Sequence, residues 1–242
     1  MFKRKILSKL EAWKQDERHK PLILRGARQV GKTTVVNEFG SQFDNYLYFN
    51  LEMSESVRLF EMDIPLNDLV NMLFASLGKS QKKGSTLIFI DEIQNSPKTI
   101  ALLRYFYEQR PDLYVIAAGS LLENLVDVNV SFPVGRVMYL ALRPCSFYEF
   151  LGAIGKNNLL TILSQKAEYS IAFHEQLMHQ FNQYTIIGGM PEAVQHYAET
   201  QDIIAIEDVY ETLVQAYKDD SEKYARSNKL TDVVRFILSY GW

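Results

Sequence analysis

Five short runs of apolar residues lie in the first 150 residues and alternate with segments of helical periodicity. The runs are "PLILRG" (21–26), "YLYFNL" (46–51), "TLIFID" (86–91), "LYVIAAG" (113–119) and "VMYLAL" (137–142). Each is almost continuously apolar, which is typical of parallel strands that helices cover on both faces. The pattern therefore predicts an α/β fold built on a parallel sheet.

Helical spacing of apolar residues predicts helices at about 32–42, 65–79 and 97–110 between these strands. At the amino terminus, Phe2, Ile6, Leu10 and Trp13 also follow helical spacing and leave the lysines on the other face. We expect an amphipathic helix packed on its own domain there. A helix lying on a membrane surface is the alternative.

The strand pattern ends after Phe147. Helical periodicity then predicts an all-helical part, with helices at about 146–152, 157–182, 190–198, 202–217 and 229–240. The boundary between the two parts is expected near residue 150. Because the chain stops at "FILSYGW", inside an apolar pattern, we also expect it to be truncated before a further domain.

Composition narrows the class of protein. The 242 residues are 47% hydrophobic and 23% charged, as in an ordinary soluble globular protein, and the net charge of −3 is no sign of general nucleic-acid binding. The single cysteine, Cys145, excludes an intrachain disulfide and fits a reducing compartment. No apolar run approaches the roughly 20 residues that span a bilayer. We therefore expect a cytoplasmic protein without a membrane span.

The segment "GARQVGKT", from Gly26 to Thr33, fits the phosphate-loop pattern G-x-x-x-x-G-K-[ST] between a predicted strand and a predicted helix. The glycines let the backbone curl so that N–H groups face phosphate oxygens. Lys32 is expected to reach the β- and γ-phosphates, and the Thr33 hydroxyl to bind Mg²⁺. The candidate nucleotide-binding residues are Gly26, Ala27, Arg28, Gln29, Val30, Gly31, Lys32, Thr33 and Thr34. Arg28 either helps to bind phosphate or is solvated.

The segment "LIFIDEIQ", residues 87–94, supplies two carboxylates at the end of a predicted buried strand. Asp91 is expected to bind Mg²⁺ beside Thr33. Glu92 then lies where a carboxylate can polarise a water for attack on the γ-phosphate, which favours hydrolysis over transfer to a small molecule. The alternative for this acidic pair is a helix cap.

Four motifs in order carry a resemblance to a known family: "RGARQVGKTTVV", "IFIDEIQ", "AAGSLLE" and "PVGRVMYLALRPCSFYEFL". With them the chain resembles prokaryotic AAA+-superfamily ATPases that carry a C-terminal domain of unknown function, and is distantly similar to STAND and origin-recognition ATPases. The resemblance covers essentially the whole chain. It implies a P-loop NTPase fold of the ASCE/AAA+ type, with a five-stranded parallel sheet in the order 5-1-4-3-2. It also implies an α/β domain at 1–150, a small helical lid at 151–198 and the start of a truncated helical C-terminal domain at 199–242.

The resemblance implies further site residues. Ser120 matches the polar sensor of the γ-phosphate, although it could instead cap the helix that follows. Arg136 lies in the region where such ATPases place an arginine near the phosphates or at a subunit interface, acting in cis or in trans; a surface arginine is the alternative. Lys32, Glu92, Ser120 and Arg136 are thus the candidate catalytic residues. Asn50 and Glu52, after the second strand, are expected to support the site indirectly.

The segment "GGMPEAV" in the helical part matches the Gly-x-Pro element of STAND-like relatives. There the resemblance implies that Pro191 packs near the adenine. The residues alone support a simpler interpretation, in which Gly188 and Gly189 end one helix and Pro191 opens the next. Both interpretations stay open at this point.

Together these patterns predict an Mg²⁺-dependent ATP-binding protein and ATP hydrolase, in which hydrolysis moves the lid and the C-terminal domain. The alternative is a nucleic-acid-associated binding module in which ATP is structural or regulatory, with the basic segment "GKSQKKG" (78–84) as its contact. The expected partners are ATP and a protein or nucleic-acid client that the sequence does not name. A homo-oligomer is left open.

Overall fold

The computed structural model describes residues 2–119, 133, 135–165, 171–224, 232–233 and 236–237. The chain divides into two compact units, one of residues 4–143 and one that begins at Pro144 and includes the first three residues. The division falls a few residues before the boundary expected near 150. The limits of the lid and of the C-terminal domain stay predictions.

The first unit is built on a five-stranded sheet. Its strands are β1 (Leu22–Arg25), β2 (Asn45–Asn50), β3 (Thr86–Asp91), β4 (Leu113–Gly119) and β5 (Met138–Ala141). All neighbouring strands pair in parallel, in the order β2-β3-β4-β1-β5. This is the predicted order 5-1-4-3-2 read from the opposite edge, so the predicted fold class is confirmed.

Helices connect the strands of this unit. They are α1 (Ile6–Gln15), α2 (Lys32–Gly40), α3 (Ser54–Phe60), α4 (Leu66–Ser76) and α5 (Pro97–Gln109). Helix α1 buries Ile6, Leu10 and Trp13, which confirms the expected amphipathic helix packed on its own unit. Helix α3 lies in a segment for which no helix was predicted.

The burial of the strands changes from the centre of the sheet to its edges. Strand β3 is buried at every position, whereas burial alternates along β2 and is low along β5. The prediction that helices cover both faces of every strand is therefore wrong for β2 and β5. These are the edge strands, which have a single neighbour in the sheet.

The second unit is helical throughout its described residues. It contains α6 (Phe147–Ala153), α7 (Asn157–Gln165), α8 (Ile171–Ile187), α9 (Pro191–Thr200) and α10 (Glu207–Tyr224). The sequence predicted one helix over 157–182, but α7 ends at Gln165 and α8 continues to Ile187. The helix predicted at 229–240 lies mostly outside the described residues. None of the described helices is both long enough and apolar enough to cross a membrane.

Backbone hydrogen bonds hold the chain on each side of the boundary between the units. Within the first unit, Leu142 N donates to Arg25 O over 2.7 Å. Within the second, Cys145 N donates to Gly189 O over 2.6 Å. A Cβ at Gly189 would lie 2.5 Å from Cys145 O, so this close approach requires glycine.

The "GGMP" segment also separates two helices, as the simpler interpretation predicts. Gly188 follows the last residue of α8 and has a positive φ of 72°, a conformation that favours glycine. Pro191 is the first residue of α9, where its missing N–H needs no partner. The segment is thus helix punctuation, whatever further contacts Pro191 makes.

Candidate active site

The phosphate loop occupies residues 26–31, between the end of β1 and the first residue of α2. Gln29 and Gly31 have positive φ angles of 59° and 86°, which turn the backbone back on itself. A Cβ at Gly26 would overlap the carbonyl oxygen of Leu142, so only glycine fits beside the end of β5. The loop conformation therefore depends on both glycines of the motif.

Arg4 supports the loop, although the sequence analysis did not identify it. Its side chain is buried, with Nη1 donating to Val30 O over 3.0 Å and Nη2 donating to Arg143 O over 2.7 Å. Val30 itself is fully buried. A single arginine near an N-terminus carries no sequence signal for such a role, because its partners lie far along the chain.

The ammonium group of Lys32 lies within its own loop. Its Nζ donates to Gly26 O over 2.9 Å and to Ala27 O over 2.8 Å. Burial lowers the pKa of Lys32, while the charges of Glu92 and Asp91 raise it and that of Arg28 lowers it further. The Lys32 amino group thus lies where the motif places phosphate oxygens.

Thr33 and Asp91 are in direct contact. Thr33 Oγ1 donates to Asp91 Oδ2 over 2.6 Å, and Glu92 N donates to Asp91 Oδ1 over 3.1 Å. Asp91 is 3% exposed, and this burial raises the pKa of its carboxyl, whereas the hydrogen bonds and the charge of Lys32 lower it. Two hard oxygen donors thus lie side by side at the end of β3.

This donor set fits Mg²⁺. In the part of the chain that the structure describes, no group of three or more histidine, cysteine or acidic side chains could hold a metal ion. Mg²⁺ does not need such a cage, since it is usually held by one or two protein oxygens together with waters and substrate phosphates. A threonine hydroxyl and a buried carboxylate beside a phosphate loop meet that requirement.

Glu92 has an unusual backbone conformation for a residue other than glycine. Its φ is 53° and its ψ is 44°, in the left-handed region, which carries strain of about 1–2 kcal/mol. Leu51 N donates to Asp91 O, and Asn95 N donates to Glu92 O, both over 3.0 Å, so the turn is fixed on both sides. Such strain is concentrated at functional sites.

The side chain of Glu92 does not cap a helix. It makes no capping bond to the following 3₁₀ turn, and α5 is capped instead by Ser96. Gln94 Nε2 donates to Glu92 Oε2. Burial raises the pKa of Glu92, the bond from Gln94 and the charge of Lys32 lower it, and the charge of Asp91 raises it. The alternative of an acidic cap therefore has no support in these contacts.

Residues of β2 and the turn after it lie beside this carboxylate pair. Asn50 pairs with Asp91 in the sheet, and its Oδ1 accepts from Glu52 N over 2.8 Å. The charge of Glu52 is one of the smaller causes that raise the pKa of Asp91 and Glu92. Burial, followed by the charge and hydrogen bond of Asp91, raises the pKa of Tyr48, which the sequence analysis did not single out.

The remaining predicted site residues are not brought to this cluster. Ser120 follows β4 but lies outside the described residues. Arg136 precedes β5, whose first residue pairs with the first residue of β1, so it lies at the opposite end of the strands from the loop. There Arg136 Nε contacts Glu108 Oε1 at 2.6 Å. A role for Arg136 near the phosphates of its own chain is not supported; a role at a subunit interface stays a prediction.

Three other predicted residues are placed without being tested. Arg28 is half-buried at the phosphate loop, and Thr34 is exposed in the first turn of α2. Pro191 is part of the second unit, where it begins α9. Its contact with adenine stays a prediction.

Two known protein families match successive parts of the chain. A family described as an AAA domain matches residues 18–151, which include the phosphate loop, Asp91 and Glu92. A second family, described as a domain of unknown function, matches residues 178–241. No curated protein matches the chain.

Solved structures resemble the chain at low sequence identity, and the first of them shares its fold. A Walker-type ATPase of Pyrococcus abyssi is 17% identical with a TM-score of 0.57, over 95% of this chain and 77% of that one. Drosophila ORC bound to DNA is 15% identical with a TM-score of 0.43, over 97% of this chain and 65% of that one. C. elegans PCH-2 is 13% identical with a TM-score of 0.40, over 97% and 67%.

Proposed function

Because the chain belongs to the AAA domain family, which matches more than half of it, we propose that it binds ATP with Mg²⁺ and hydrolyses it. The predicted family resemblance is confirmed by that match. The observation that carries the proposal is the contact between Thr33 and Asp91, 2.6 Å apart, with Glu92 adjacent and Lys32 in the same loop. Each group has a separate role in hydrolysis.

Phosphate binding falls to the loop and to Lys32. The backbone N–H groups of residues 26–33 and the amino end of α2 present partial positive charge to phosphate oxygens. Lys32 Nζ exchanges its bonds to Gly26 O and Ala27 O for the β- and γ-phosphates. The buried position of this lysine strengthens its attraction to the phosphates, because little water screens it.

Thr33 and Asp91 are the residues that would hold Mg²⁺. The bound ion would neutralise charge that develops on the phosphate oxygens during hydrolysis. The Thr33 hydroxyl would offer an oxygen lone pair to the ion. The buried Asp91 carboxylate would gain a cation that compensates for its removal from water.

Glu92 is the proposed general base. Its carboxylate orients a water and accepts a proton from it as the water oxygen bonds to the γ-phosphorus and the bond to the leaving oxygen of ADP breaks. The strained turn at Glu92 is fixed by backbone bonds on both sides, so the carboxylate is presented from a rigid segment. General-base catalysis of this kind contributes roughly 10²–10⁴-fold.

We extend the proposal to the helical unit. Strand β5 pairs with β1, which leads into the phosphate loop, and the chain after β5 continues directly into that unit. Binding and hydrolysis of ATP are thus proposed to alter the position of the lid and the C-terminal helices. A cytoplasmic location remains part of the proposal, supported by the single, buried cysteine.

The experiment that tests this function measures ATP binding and steady-state phosphate release in parallel. Lys32→Ala is expected to lose binding, whereas Glu92→Gln is expected to bind ATP normally and to lose at least about a hundredfold in kcat. Lys9→Ala and Glu55→Gln are matched controls at exposed positions and should behave as wild type. Tight ATP binding by Lys32→Ala would show that the site assignment is wrong.

The same assay with added DNA or RNA tests whether the client is a nucleic acid. The basic 78–84 loop is the candidate contact for nucleic acid, and any stimulation through it should weaken steeply with added salt. Turnover that does not change with DNA or RNA at low salt would argue against a nucleic-acid client and would direct the search to proteins.

A further inference from the structure

Gln94 lies in the 3₁₀ turn of Ile93–Asn95 that follows Glu92. Its side chain folds back along this turn, and Nε2 donates a hydrogen bond to Glu92 Oε2. Amide nitrogen and oxygen have opposite hydrogen-bonding roles, and only the nitrogen can face a carboxylate favourably. The chemistry of the pair therefore fixes which way the amide points.

The other end of the same amide is unsatisfied. Gln94 Oε1 is buried and makes no hydrogen bond with any described residue. A buried acceptor without a partner is unfavourable, and a half-buried glutamine could avoid this by turning its amide toward solvent. The side chain instead keeps the bond from Nε2 to Glu92 Oε2 and leaves its own Oε1 without a partner among the described residues. The amide is therefore placed to hold the Glu92 carboxylate.

Resting on the proposed function, we infer that Gln94 is a positioning residue that holds the Glu92 carboxylate in the orientation required to activate water. Its hydrogen bond restricts rotation of a side chain whose backbone is already fixed by Leu51 and Asn95. Gln94 acts through Glu92 and has no bond to the phosphate loop or to Thr33. It should therefore affect turnover without affecting ATP binding.

Gln94→Met tests the inference because methionine keeps the length of the side chain and removes both polar atoms. We expect kcat to fall about tenfold to a hundredfold, as misplacement of a catalytic group by about 1 Å can do. The Kd for ATP should stay within about twofold of wild type, since the phosphate loop is unaltered. Gln94→Asn is the second variant, for use if Gln94→Met folds poorly. Its side chain is one methylene shorter, so its amide nitrogen cannot reach the Glu92 carboxylate, and the same fall in kcat is expected.

The double variant separates positioning from a general structural effect. If Gln94 acts only through Glu92, Glu92→Gln with Gln94→Met should be no slower than Glu92→Gln alone. Gln109→Met, at an exposed glutamine on α5, is the matched control and should keep wild-type kcat. Thermal unfolding of each variant shows whether the fold is retained.

The outcomes are distinguishable. Wild-type kcat in Gln94→Met, with Glu92→Gln inactive, overturns this inference and leaves the proposed function standing. An additive loss in the double variant, or a loss of ATP affinity that parallels the loss of kcat, also overturns it. A wild-type protein without ATPase activity overturns the proposed function and the inference together.

Discussion

Thr33 donates its hydroxyl hydrogen to Asp91 Oδ2 over 2.6 Å, so the first turn of α2 and the end of β3 meet at one pair of oxygen atoms. These residues are far apart in the sequence, and the parallel sheet brings them together. These two oxygen atoms are of the kind that bind Mg²⁺ in proteins. Phosphate oxygens and waters would supply the remaining ligands.

Thr33→Val should therefore reduce the magnesium dependence of ATP binding. Valine matches the shape of threonine without its hydroxyl. Loss of the contact between that hydroxyl and the metal ion is expected to weaken binding of ATP with Mg²⁺ by roughly 1.5–3 kcal/mol, about tenfold to a hundredfold in Kd. Calorimetric titration with Mg²⁺ and with EDTA measures the difference. Thr33→Ser keeps the hydroxyl and is the control. Equal magnesium dependence in Thr33→Val and wild type would remove Thr33 from the metal site.

Gly26→Ala should disturb both the fold and nucleotide binding. The added Cβ would overlap Leu142 O, so the loop or the end of β5 must move, and overpacking of this kind typically destabilises by about 1–3 kcal/mol. Gly152→Ala is the contrasting control, because a Cβ there meets nothing within 4 Å and helical alanine should stabilise by about 0.5–1 kcal/mol. Thermal unfolding and ATP titration would check both, and an unchanged melting temperature in Gly26→Ala would contradict the close approach.

If Arg136 assists hydrolysis, we expect it to act at the ATP site of a neighbouring subunit. It lies at the amino end of β5, away from the phosphate loop of its own chain. Arg136→Ala and Glu92→Gln are each expected to be inactive, whereas an equal mixture should regain about one quarter of wild-type turnover if subunits pair randomly in a ring. ATPase rates across mixing ratios measure this. Full activity of Arg136→Ala alone would rule out a catalytic role.

Glu108 should contribute pH-dependent stability. Hydrogen bonds from Arg136 and then Arg104 hold its pKa below the ordinary value for glutamate, about 4.3. For a carboxyl whose folded-state pKa is depressed, the stabilisation is present above the unfolded pKa and is lost as pH falls through the folded pKa. The small difference in urea midpoint between wild type and Glu108→Gln should therefore be present at pH 7 and shrink below about pH 4. A constant difference would indicate that the charge is irrelevant.

Pro191→Ala tests whether the proline contacts the base. Loss of two buried methylene groups at a nucleotide contact should weaken ATP binding by roughly tenfold. The fold should change little, because alanine is also accepted at the start of a helix. Pro97→Ala, at the same position of α5, is the matched control. If only the melting temperature falls, Pro191 acts as helix punctuation alone.

The order of strands and the phosphate loop could be predicted because their signals are local or belong to an ordered set of motifs. Each strand is a short apolar run, and the loop is a contiguous segment between β1 and α2. Asp91 and Glu92 could be predicted for the same reason, because Asp91 is the last residue of the apolar strand β3 and Glu92 follows it directly. These parts of the site therefore needed no knowledge of distant contacts.

The contacts that the sequence did not reveal depend on packing between distant segments. Arg4 reaches Val30 O and Arg143 O, and Gly26 is confined by Leu142. No local pattern marks those partners. The edge position of Arg136 follows from the register of β5 with β1, which the motif alone does not specify. Helix α3 was missed because its seven residues are too few for a clear periodicity.

The short stretch of chain between the two units has little conformational freedom of its own. The bond from Leu142 N to Arg25 O and the bond from Cys145 N to Gly189 O leave Arg143 and Pro144 as the residues between them. Proline fixes its own φ and restricts the residue before it, and Arg143 O is already bound by Arg4. The backbone of Arg143 and Pro144 therefore has few torsions that can rotate while these hydrogen bonds are kept.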